Sequence, residues 1–313
     1  MARSNNLLQR DASIAPFSSI VLAAKLESAR SARLNSGVSR FLIDMELRIA
    51  ICQFPVSRDI DSNAKFIRRF MKEAAEVAAH AVHFPETALS GYGRSDFTPS
   101  CTDNWQELEK HTREIINLAG KLGLWVVFGS CRKVANREKP ANCIHVISDR
   151  GRIVGTYDKR QLTPSESAWY TPGNEFLVTT INGIKCGFLI CYEACFPDLF
   201  DVYRKKGVQL IIHSCHNVSG KHRPLFQELT LAQIRTRAAD NQLWISSSNS
   251  AARYSFSTAC IARPDGSVRC SRRHVNGLLL HDFPDTKLGW TYDNRKKKPK
   301  IENTGALRLT DET

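Results

Sequence analysis

The chain has 313 residues, of which 42% are hydrophobic and 24% are charged, and its formal net charge is +13. This length and composition are normal for a globular protein that buries a sizeable core without disulfides or metals. A positive charge can serve nucleic-acid binding, but here the basic residues are scattered along the chain. The single tight run, Arg295 to Lys300, lacks the interleaved aromatic residues that stack on bases. A nucleic-acid partner is therefore an unfavoured alternative.

The first 44 residues have a composition of their own. They are rich in Ser and Arg, with six basic residues and three acids, which leaves a net charge of +10 for the remainder. Organelle transit peptides have such a composition. The pattern of a folded domain nevertheless begins sharply at Met45, so we favour a start codon placed too far upstream for residues 1–44, with a disordered extension or an organelle signal as the alternatives. We predict one folded domain over residues 45–285 and a polar, basic tail over residues 286–313.

The ten cysteines favour a reducing compartment. No pair has the C-x-x-C spacing of zinc or redox motifs, and Cys52, Cys186 and Cys260 lie inside apolar runs, where a reduced cysteine acts as a small hydrophobe. We therefore expect a cytoplasmic protein. No apolar run approaches the roughly 20 residues that span a bilayer, so we expect no membrane association.

Apolar periodicity predicts alternating strands and helices at the start of the folded domain. Residues 47–54 have the pattern of a buried strand, and residues 61–80 place apolar residues at helical spacing after Asp and Ser capping candidates. A second strand is predicted at residues 81–84. A second helix follows at residues 103–120, and we expect Gly120 to end it.

The rest of the domain combines strands with two further helices. Strands are predicted at residues 124–130, 143–148, 152–157, 176–181, 184–190, 208–213 and 243–248, helices at 197–206 and 224–241, and a last hairpin at 256–262 and 277–282. This order predicts an α/β domain with mixed sheets, in which two sheets lie between helix layers. No internal repeat and no phosphate-binding glycine motif is visible in the sequence, so nucleotide chemistry has no support.

Three chemically active side chains follow predicted strands. Cys191 stands at a turn that would lift its thiol clear of the sheet. A thiol attacks as a thiolate and needs a proton acceptor, which Glu86 can provide. The ammonium of Lys159 can stabilise an oxyanion. Each residue alone is more often a packing or solvated residue, but three such residues at strand ends of one domain predict a hydrolytic site.

The segments around these residues resemble the signature of the nitrilase superfamily, the carbon–nitrogen hydrolases. They are Phe84-Pro85-Glu86, Tyr157-Asp158-Lys159 and Cys191-Tyr192-Glu193, in the order and spacing of that family. The resemblance implies a four-layer α-β-β-α sandwich that is usually paired with a second subunit as a homodimer or higher homo-oligomer. It also implies a reaction that uses neither a cofactor nor a metal.

The resemblance further implies a role for each residue. Glu86 would be the general base, Lys159 the oxyanion partner, and Cys191 the nucleophile that forms a thioester. Glu166 fits a second glutamate that many members carry shortly after the lysine. The backbone N–H of Tyr192 would be the second oxyanion donor.

Two features near the motifs bear on the pocket. Gln161 stands where many members of the superfamily have histidine, which leaves the triad intact but changes the pocket. His213 and His216 flank Cys215 in a pattern that resembles a zinc site. Because the pair follows an apolar strand, we interpret both histidines as hydrogen-bonded or site-lining residues and predict no metal.

The resemblance leaves several substrates open. We expect a small amide or N-carbamoyl compound that is hydrolysed with release of ammonia. The alternatives are a nitrilase or ω-amidase activity, and a catalytically inactive scaffold of the same fold. Candidate substrate contacts are Tyr92, Trp169, Glu193, His216 and Arg253. Arg253 could bind a substrate carboxylate through two hydrogen bonds, or could be an exposed loop arginine.

Overall fold

The computed structural model describes residues 47–93, 104–219, 224–283, 288 and 292–294. The predictions for residues 1–44 and for most of the tail at 286–313 lie outside these residues, so the domain boundaries stay predictions. In the part of the chain that is described, no helix is both long and apolar enough to cross a membrane.

The described residues include twelve strands and four α-helices. The strands are Leu47–Gln53 (β1), Ala81–His83 (β2), Trp125–Arg132 (β3), Ala141–Ile147 (β4), Ile153–Asp158 (β5), Val178–Ile181 (β6), Ile184–Ile190 (β7), Leu210–Ser214 (β8), Trp244–Ser248 (β9), Cys260–Ala262 (β10), Val268–Cys270 (β11) and Gly277–Phe283 (β12). The helices are Ile60–Glu76 (α1), Trp105–Leu122 (α2), Pro197–Lys205 (α3) and Pro224–Asn241 (α4). Most predicted elements are confirmed, with ends that shift by a few residues.

The strands form two six-stranded sheets with the same pattern of directions. Their orders are β12-β1-β2-β3-β4-β5 and β6-β7-β8-β9-β10-β11. In each sheet three parallel strands are flanked by antiparallel strands, and the sixth strand pairs antiparallel with the fifth. In the first sheet, α1 follows β1 and α2 follows β2. In the second sheet, α3 follows β7 and α4 follows β8. The two halves therefore share one topology, although the sequence has no visible repeat.

The two sheets pack face to face and the helices cover their outer faces. Ile49 in β1 belongs to a core shared with the second sheet, whereas its neighbour Ala50 belongs to a separate core under α1 and α2. Such alternation is expected of a strand that is buried on both faces. Phe200 from α3 and Ile234 from α4 pack on the second sheet. The predicted four-layer sandwich is confirmed.

Two details of the predicted fold are wrong. Gly120 lies inside α2, and the helix ends at Gly123, whose φ of 61° is the left-handed conformation of a glycine C-cap. The predicted hairpin does not form, because β10 pairs with β9 and β11, whereas β12 pairs with β1 in the other sheet. The intervening β11 has no buried residue and therefore gave no apolar signal.

Candidate active site

The candidate site lies where the carboxyl ends of parallel strands from both sheets meet. An isolated parallel bridge joins Phe54, which follows β1, to Ser250, which follows β9. The N–H of Glu86, three residues after β2, donates to the carbonyl of Cys215, directly after β8, over 3.3 Å. The two sheets thus contribute their loops to one location, where sites of α/β proteins commonly form.

The loop that carries Glu86 packs directly against β3. The N–H of Gly129 donates to the carbonyl of Pro85 over 3.2 Å, and the carbonyl of Gly129 accepts from the N–H of Leu89 over 3.0 Å. A Cβ at position 129 would lie 2.3 Å from the backbone nitrogen of Thr87. Only glycine allows the loop to come this close to the strand, so Gly129 fixes the position of Glu86.

Glu86, Lys159 and Glu166 form a buried cluster of charges. The Nζ of Lys159 lies 2.8 Å from Oε1 of Glu86 and 2.7 Å from Oε1 of Glu166. All three residues are at most 1% exposed. Glu166 begins a short 3₁₀ helix after β5, and this turn brings its carboxylate back to the lysine. The structure therefore brings together the predicted base, the predicted cation and the supporting glutamate.

Burial and mutual contact shift the pKa of each group in this cluster. Burial raises the pKa of Glu86, although the Lys159 ammonium opposes the shift. Burial acts to lower the pKa of Lys159, but the charges of Glu86 and Glu166 raise it well above its ordinary value. Burial also opposes ionisation of Glu166, yet Lys159 brings the pKa of Glu166 below its ordinary value. Glu86 is therefore the carboxylate better suited to accept a proton.

Neutral groups orient the two carboxylates. The Nδ2 of Asn142, in β4, donates to Oε1 of Glu86 over 2.7 Å, and the N–H of Thr163 donates to Oε2 of Glu166 over 2.7 Å. The Tyr92 hydroxyl also donates to Glu166. Among the described residues, Oε2 of Glu86 has no hydrogen-bond partner. That oxygen can accept a proton from a thiol or from a water molecule.

Cys191 occupies a strained turn at the end of β7. It begins a 3₁₀ helix and has a φ of 48°, a left-handed conformation that costs a non-glycine residue about 1–2 kcal/mol. The carbonyl of Cys191 lies 3.0 Å from Nε2 of His213, and its Sγ donates to Oδ1 of Asn217 over 3.2 Å. A strained strand-to-turn junction is the geometry expected for an exposed nucleophile. Tyr192 follows in the same turn, and the oxyanion role of its N–H stays a prediction.

A second thiol, Cys215, lies beside Cys191. Because Ile190 pairs with Ser214 in the parallel register, the two cysteines that follow occupy neighbouring positions. A hydrogen bond with Cys215, together with burial, raises the pKa of Cys191 well above its ordinary value. The resting thiol is therefore protonated and needs a base. Cys215 is 1% exposed whereas Cys191 is only partly buried, so Cys191 is the thiol that a substrate can reach.

Glu193 is fully buried and its carboxylate is bound by the protein itself. Four groups donate to it over 2.7–3.2 Å, namely the Tyr157 hydroxyl and the N–H groups of Ile190, Arg160 and Gln161. These donors occupy both oxygens, which does not support the predicted substrate contact of Glu193. Its carboxylate instead joins the turn of Cys191 to the segment after Lys159 and fixes their separation.

Two of the predicted substrate contacts, Tyr92 and His216, lie together. Their rings stack with centroids 5.0 Å apart and an interplanar angle of 16°. His216 is 6% exposed, and its ring nitrogens have no hydrogen-bond partner within the described part of the chain. Burial, assisted by the charge of Lys159, lowers its pKa to about 4. His216 is therefore neutral at pH 7 and can donate one hydrogen bond and accept another.

The remaining two predicted substrate contacts are Trp169 and Arg253. Trp169 is half-buried and packs against the core under α1 and α2. Arg253 is exposed, and its guanidinium lies 5.2 Å from the centroid of the Tyr254 ring. This position of Arg253 fits the alternative of an exposed loop arginine.

Sequence reasoning missed Asn142, Asn217 and the role of Cys215, whereas it included Asn249 in a stretch of candidate pocket residues. Asn217 contacts the Cys191 sulfur, and its own N–H donates to Oδ1 of Asn249 over 2.8 Å. The sequence offered one signal for these residues, namely a polar residue beside an apolar run. If such a residue is buried, it needs hydrogen-bond partners in the fold. Which partner it finds depends on long-range packing that the sequence does not display.

Comparison with known proteins places the chain in a family. The family described as carbon-nitrogen hydrolase matches residues 48–284. The omega-amidase NIT2 of Xenopus tropicalis is 28% identical over 218 residues, which cover 66% of this chain and 75% of that protein. The omega-amidase NIT2 of Homo sapiens is 26% identical over 258 residues, which cover 77% of this chain and 90% of that protein.

Solved structures of other proteins share the fold of this chain. A crystal structure of an amidase from Nesterenkonia sp. has a TM-score of 0.66 at 20% identity and covers 80% of this chain and 95% of that one. A glutamine-dependent NAD+ synthetase from Acinetobacter baumannii has a TM-score of 0.67 at 19% identity and covers 84% of this chain and 49% of that one. These likenesses confirm the predicted fold, and the family match confirms the predicted resemblance.

Proposed function

Because the chain belongs to the carbon–nitrogen hydrolase family, we propose that Cys191 cleaves a non-peptide C–N bond of a small amide or N-carbamoyl compound through a thioester. The observation that carries this proposal is the buried cluster of Glu86, Lys159 and Glu166 next to a strained cysteine turn. The charges of Glu86 and Lys159 are close enough to Cys191 to shift its pKa. A base, a cation and a nucleophile therefore act on one location.

In the first half of the reaction, Oε2 of Glu86 accepts the thiol proton as the Cys191 sulfur attacks the substrate carbonyl carbon. The Lys159 ammonium and the N–H of Tyr192 stabilise the negative oxygen that forms. Glu166 keeps Lys159 charged and oriented. When the C–N bond breaks, Glu86 returns the proton to the leaving nitrogen and ammonia departs, leaving a thioester on Cys191.

In the second half, a water molecule replaces the departed ammonia. Oε2 of Glu86 takes a proton from this water as its oxygen attacks the thioester carbon. The same oxyanion donors stabilise the second tetrahedral intermediate. Its collapse breaks the C–S bond, releases the carboxylic acid and returns the proton to the Cys191 sulfur, so the enzyme ends as it began.

The substrate class rests on the pocket and on the relatives. The stacked pair of Tyr92 and His216 would cover the reacting group, with neutral His216 free to bond an amide or carbamoyl nitrogen or oxygen. The relatives named omega-amidase favour an ω-amide as a second candidate. Such a substrate carries a carboxylate at its far end, and the exposed position of Arg253 gives this candidate no further support.

The test is ammonia release from N-carbamoyl amino acids, N-carbamoyl amines, ω-amides, aliphatic amides and nitriles. Wild type is compared with Cys191→Ala and with Cys195→Ala, a matched control because Cys195 is exposed at the other end of the same turn. We expect Cys191→Ala to lose activity by about 10³-fold or more and Cys195→Ala to retain it. The best substrate then identifies the subclass.

Two results would contradict the proposal. Ammonia release that persists in Cys191→Ala would remove the nucleophile from the mechanism. No release from any substrate, together with no labelling of Cys191 by a thiol-reactive probe, would favour the inactive scaffold.

The second copy expected from the family would cover the apolar surface of α4. Three large apolar side chains of α4 are exposed, namely Leu225 (71%), Phe226 (45%) and Leu229 (47%). Val275, two residues before β12, is 50% exposed. Large exposed apolar patches commonly mark protein interfaces. This surface supports a homodimer or higher homo-oligomer.

The proposed location is the cytoplasm. Nine cysteines fall within the described residues and all nine have free thiols. A protein with this many unpaired thiols suits a compartment that keeps them reduced.

A further inference from the structure

A second pair of cysteines, neither of which is the proposed nucleophile, lies in β10 and β11 of the second sheet. Cys260 in β10 is directly opposite Cys270 in antiparallel β11. The N–H of Ser271 donates to the carbonyl of Ala259 over 2.8 Å, so Ala259 and Ser271, the next residues along the two strands, form a hydrogen-bonded pair. Cys260 and Cys270 therefore occupy a non-hydrogen-bonded position, where facing Cα atoms are about 4.5 Å apart.

This separation permits a covalent bond between the two sulfurs. Disulfides form between residues whose Cα atoms are about 4.4–6.8 Å apart, and facing side chains of such a pair extend from the same face of the sheet. Both thiols are free in this structure, and they are close enough for each to shift the pKa of the other. Little movement of the backbone is needed to join them.

The two sulfurs differ in access. Cys260 is 4% exposed, whereas Cys270 is exposed, and both line a cavity of about 380 Å³ beneath α4. A hydrogen bond from Cys260, together with the nearby charge of Arg235, lowers the pKa of Cys270 to about 7. A large fraction of Cys270 is therefore thiolate at neutral pH, and a small oxidant can reach it.

We propose that Cys260 and Cys270 form a reversible thiol–disulfide site, separate from the hydrolytic site, in which Cys270 reacts first and Cys260 resolves. The oxidant class is a peroxide. This site does not depend on the proposed hydrolysis, because neither cysteine takes part in that reaction.

The chemistry balances in two steps. The Cys270 thiolate attacks one oxygen of hydrogen peroxide, the O–O bond breaks, and the products are a sulfenic acid on Cys270 and hydroxide. The Cys260 thiolate then attacks the Cys270 sulfur, the S–O bond breaks, and hydroxide leaves. Two protons, including that of the Cys260 thiol, convert the hydroxides to water. The two sulfurs lose two electrons in total, and a dithiol reductant restores them by exchange.

The experiment treats the reduced full-length protein with a few-fold molar excess of hydrogen peroxide, alkylates the remaining thiols and maps the peptides by mass spectrometry. We expect a linked pair of peptides that joins Cys260 to Cys270 in most molecules, and its complete loss after dithiothreitol. Cys270→Ser, at an exposed position, removes the linkage. Cys195→Ser, which removes another exposed thiol, leaves the linkage unchanged.

The readout is a peptide linkage, so a failure here is distinct from a failure of the hydrolytic mechanism. Finding Cys270 as a sulfinic acid, or still reduced, with no linked peptides in the wild type would overturn the proposal. The same conclusion would follow if the linkage joined Cys270 to any cysteine other than Cys260.

Discussion

The two sheets have the same strand directions and helix insertions, yet they contribute different chemistry to the site. The first sheet supplies charged groups, with Glu86 three residues after β2 and Lys159 directly after β5. The second sheet supplies thiols. Asn217, three residues after β8, occupies the place that Glu86 has in the first sheet, and it contacts the Cys191 sulfur instead of acting as a base. The proposed reaction therefore draws on residues of both halves.

The helix layers differ as well. α1 and α2 bury apolar residues such as Phe70 and Ile115 against the first sheet. α4 buries few of its residues and leaves Leu225 and Leu229 exposed. The first layer thus buries its apolar residues within one chain, whereas the second layer leaves an apolar surface exposed, which is the proposed interface. The comparison predicts that substitutions in the first half alter the charged cluster and the packing of the domain. Substitutions in the second half are predicted to alter the thiol chemistry and self-association.

The largest effect is expected from removing the cation of the first sheet. Lys159→Met leaves Glu86 and Glu166 as two buried carboxylates without their ammonium and removes an oxyanion donor. We expect kcat/KM for the best substrate to fall about 10³-fold or more. Lys185→Met, on the second sheet, is the matched control and should retain activity. An active Lys159→Met enzyme with an unchanged circular dichroism spectrum would show that the charge is dispensable.

The next effect concerns packing of the Glu86 loop. Gly129→Ala would place a methyl group 2.3 Å from a backbone nitrogen and 2.4 Å from the carbonyl oxygen of Pro85, so the loop must move. We expect a loss of about 1–3 kcal/mol in unfolding free energy, measured by urea denaturation, and a clear fall in activity. Gly277→Ala is the control, because no atom lies within 4 Å of the added carbon. Equal stability of the two variants would contradict this account of the loop.

The difference between the helix layers can be tested by matched substitutions. Phe226→Glu puts a charge into the proposed interface on α4, whereas Val77→Glu does the same at an exposed apolar position just after α1. We expect Phe226→Glu to weaken self-association by about 2–4 kcal/mol, as measured by analytical ultracentrifugation over a range of concentrations. Val77→Glu should associate like the wild type. A wild-type protein that is monomeric at all concentrations would remove the proposed interface.

The last effect, which develops only on acidification, concerns the interface between the two sheets. In the first sheet, Nδ1 of His83 lies 2.9 Å from Oγ of Ser246 and Nε2 lies 3.0 Å from Oγ of Ser214, both in the second sheet. Burial lowers the pKa of His83 to about 3. The unfolded chain binds this proton from about pH 6.5 downward, whereas the folded chain does not. His83 therefore destabilises the fold by about 2 kcal/mol as pH falls from 6.5 to 5. Urea unfolding at both values should show a smaller pH dependence for His83→Gln, and an identical dependence would contradict the buried neutral histidine.

The sequence predicted what depends on local pattern. Apolar periodicity located most strands and helices, and three strand ends indicated Glu86, Lys159 and Cys191. Features that depend on contacts between residues far apart in the chain could not be predicted from the sequence. The pairing of β12 with β1 and the position of Gly129 beneath the Glu86 loop arise from residues far apart in the chain. For the same reason the sequence does not show that donors from the protein itself bind the carboxylate of Glu193.

The pairing of β12 with β1 has a consequence for synthesis of the protein. The register runs from Leu47 opposite Phe283 to Gln53 opposite Gly277, so the first sheet closes only when the end of the domain has been made. At typical translation rates the ribosome needs on the order of tens of seconds between these two strands. During that interval one edge of β1 carries unpaired backbone groups and can pair with another chain. The yield of soluble protein should therefore depend on elongation speed and on chaperones that occupy the nascent edge.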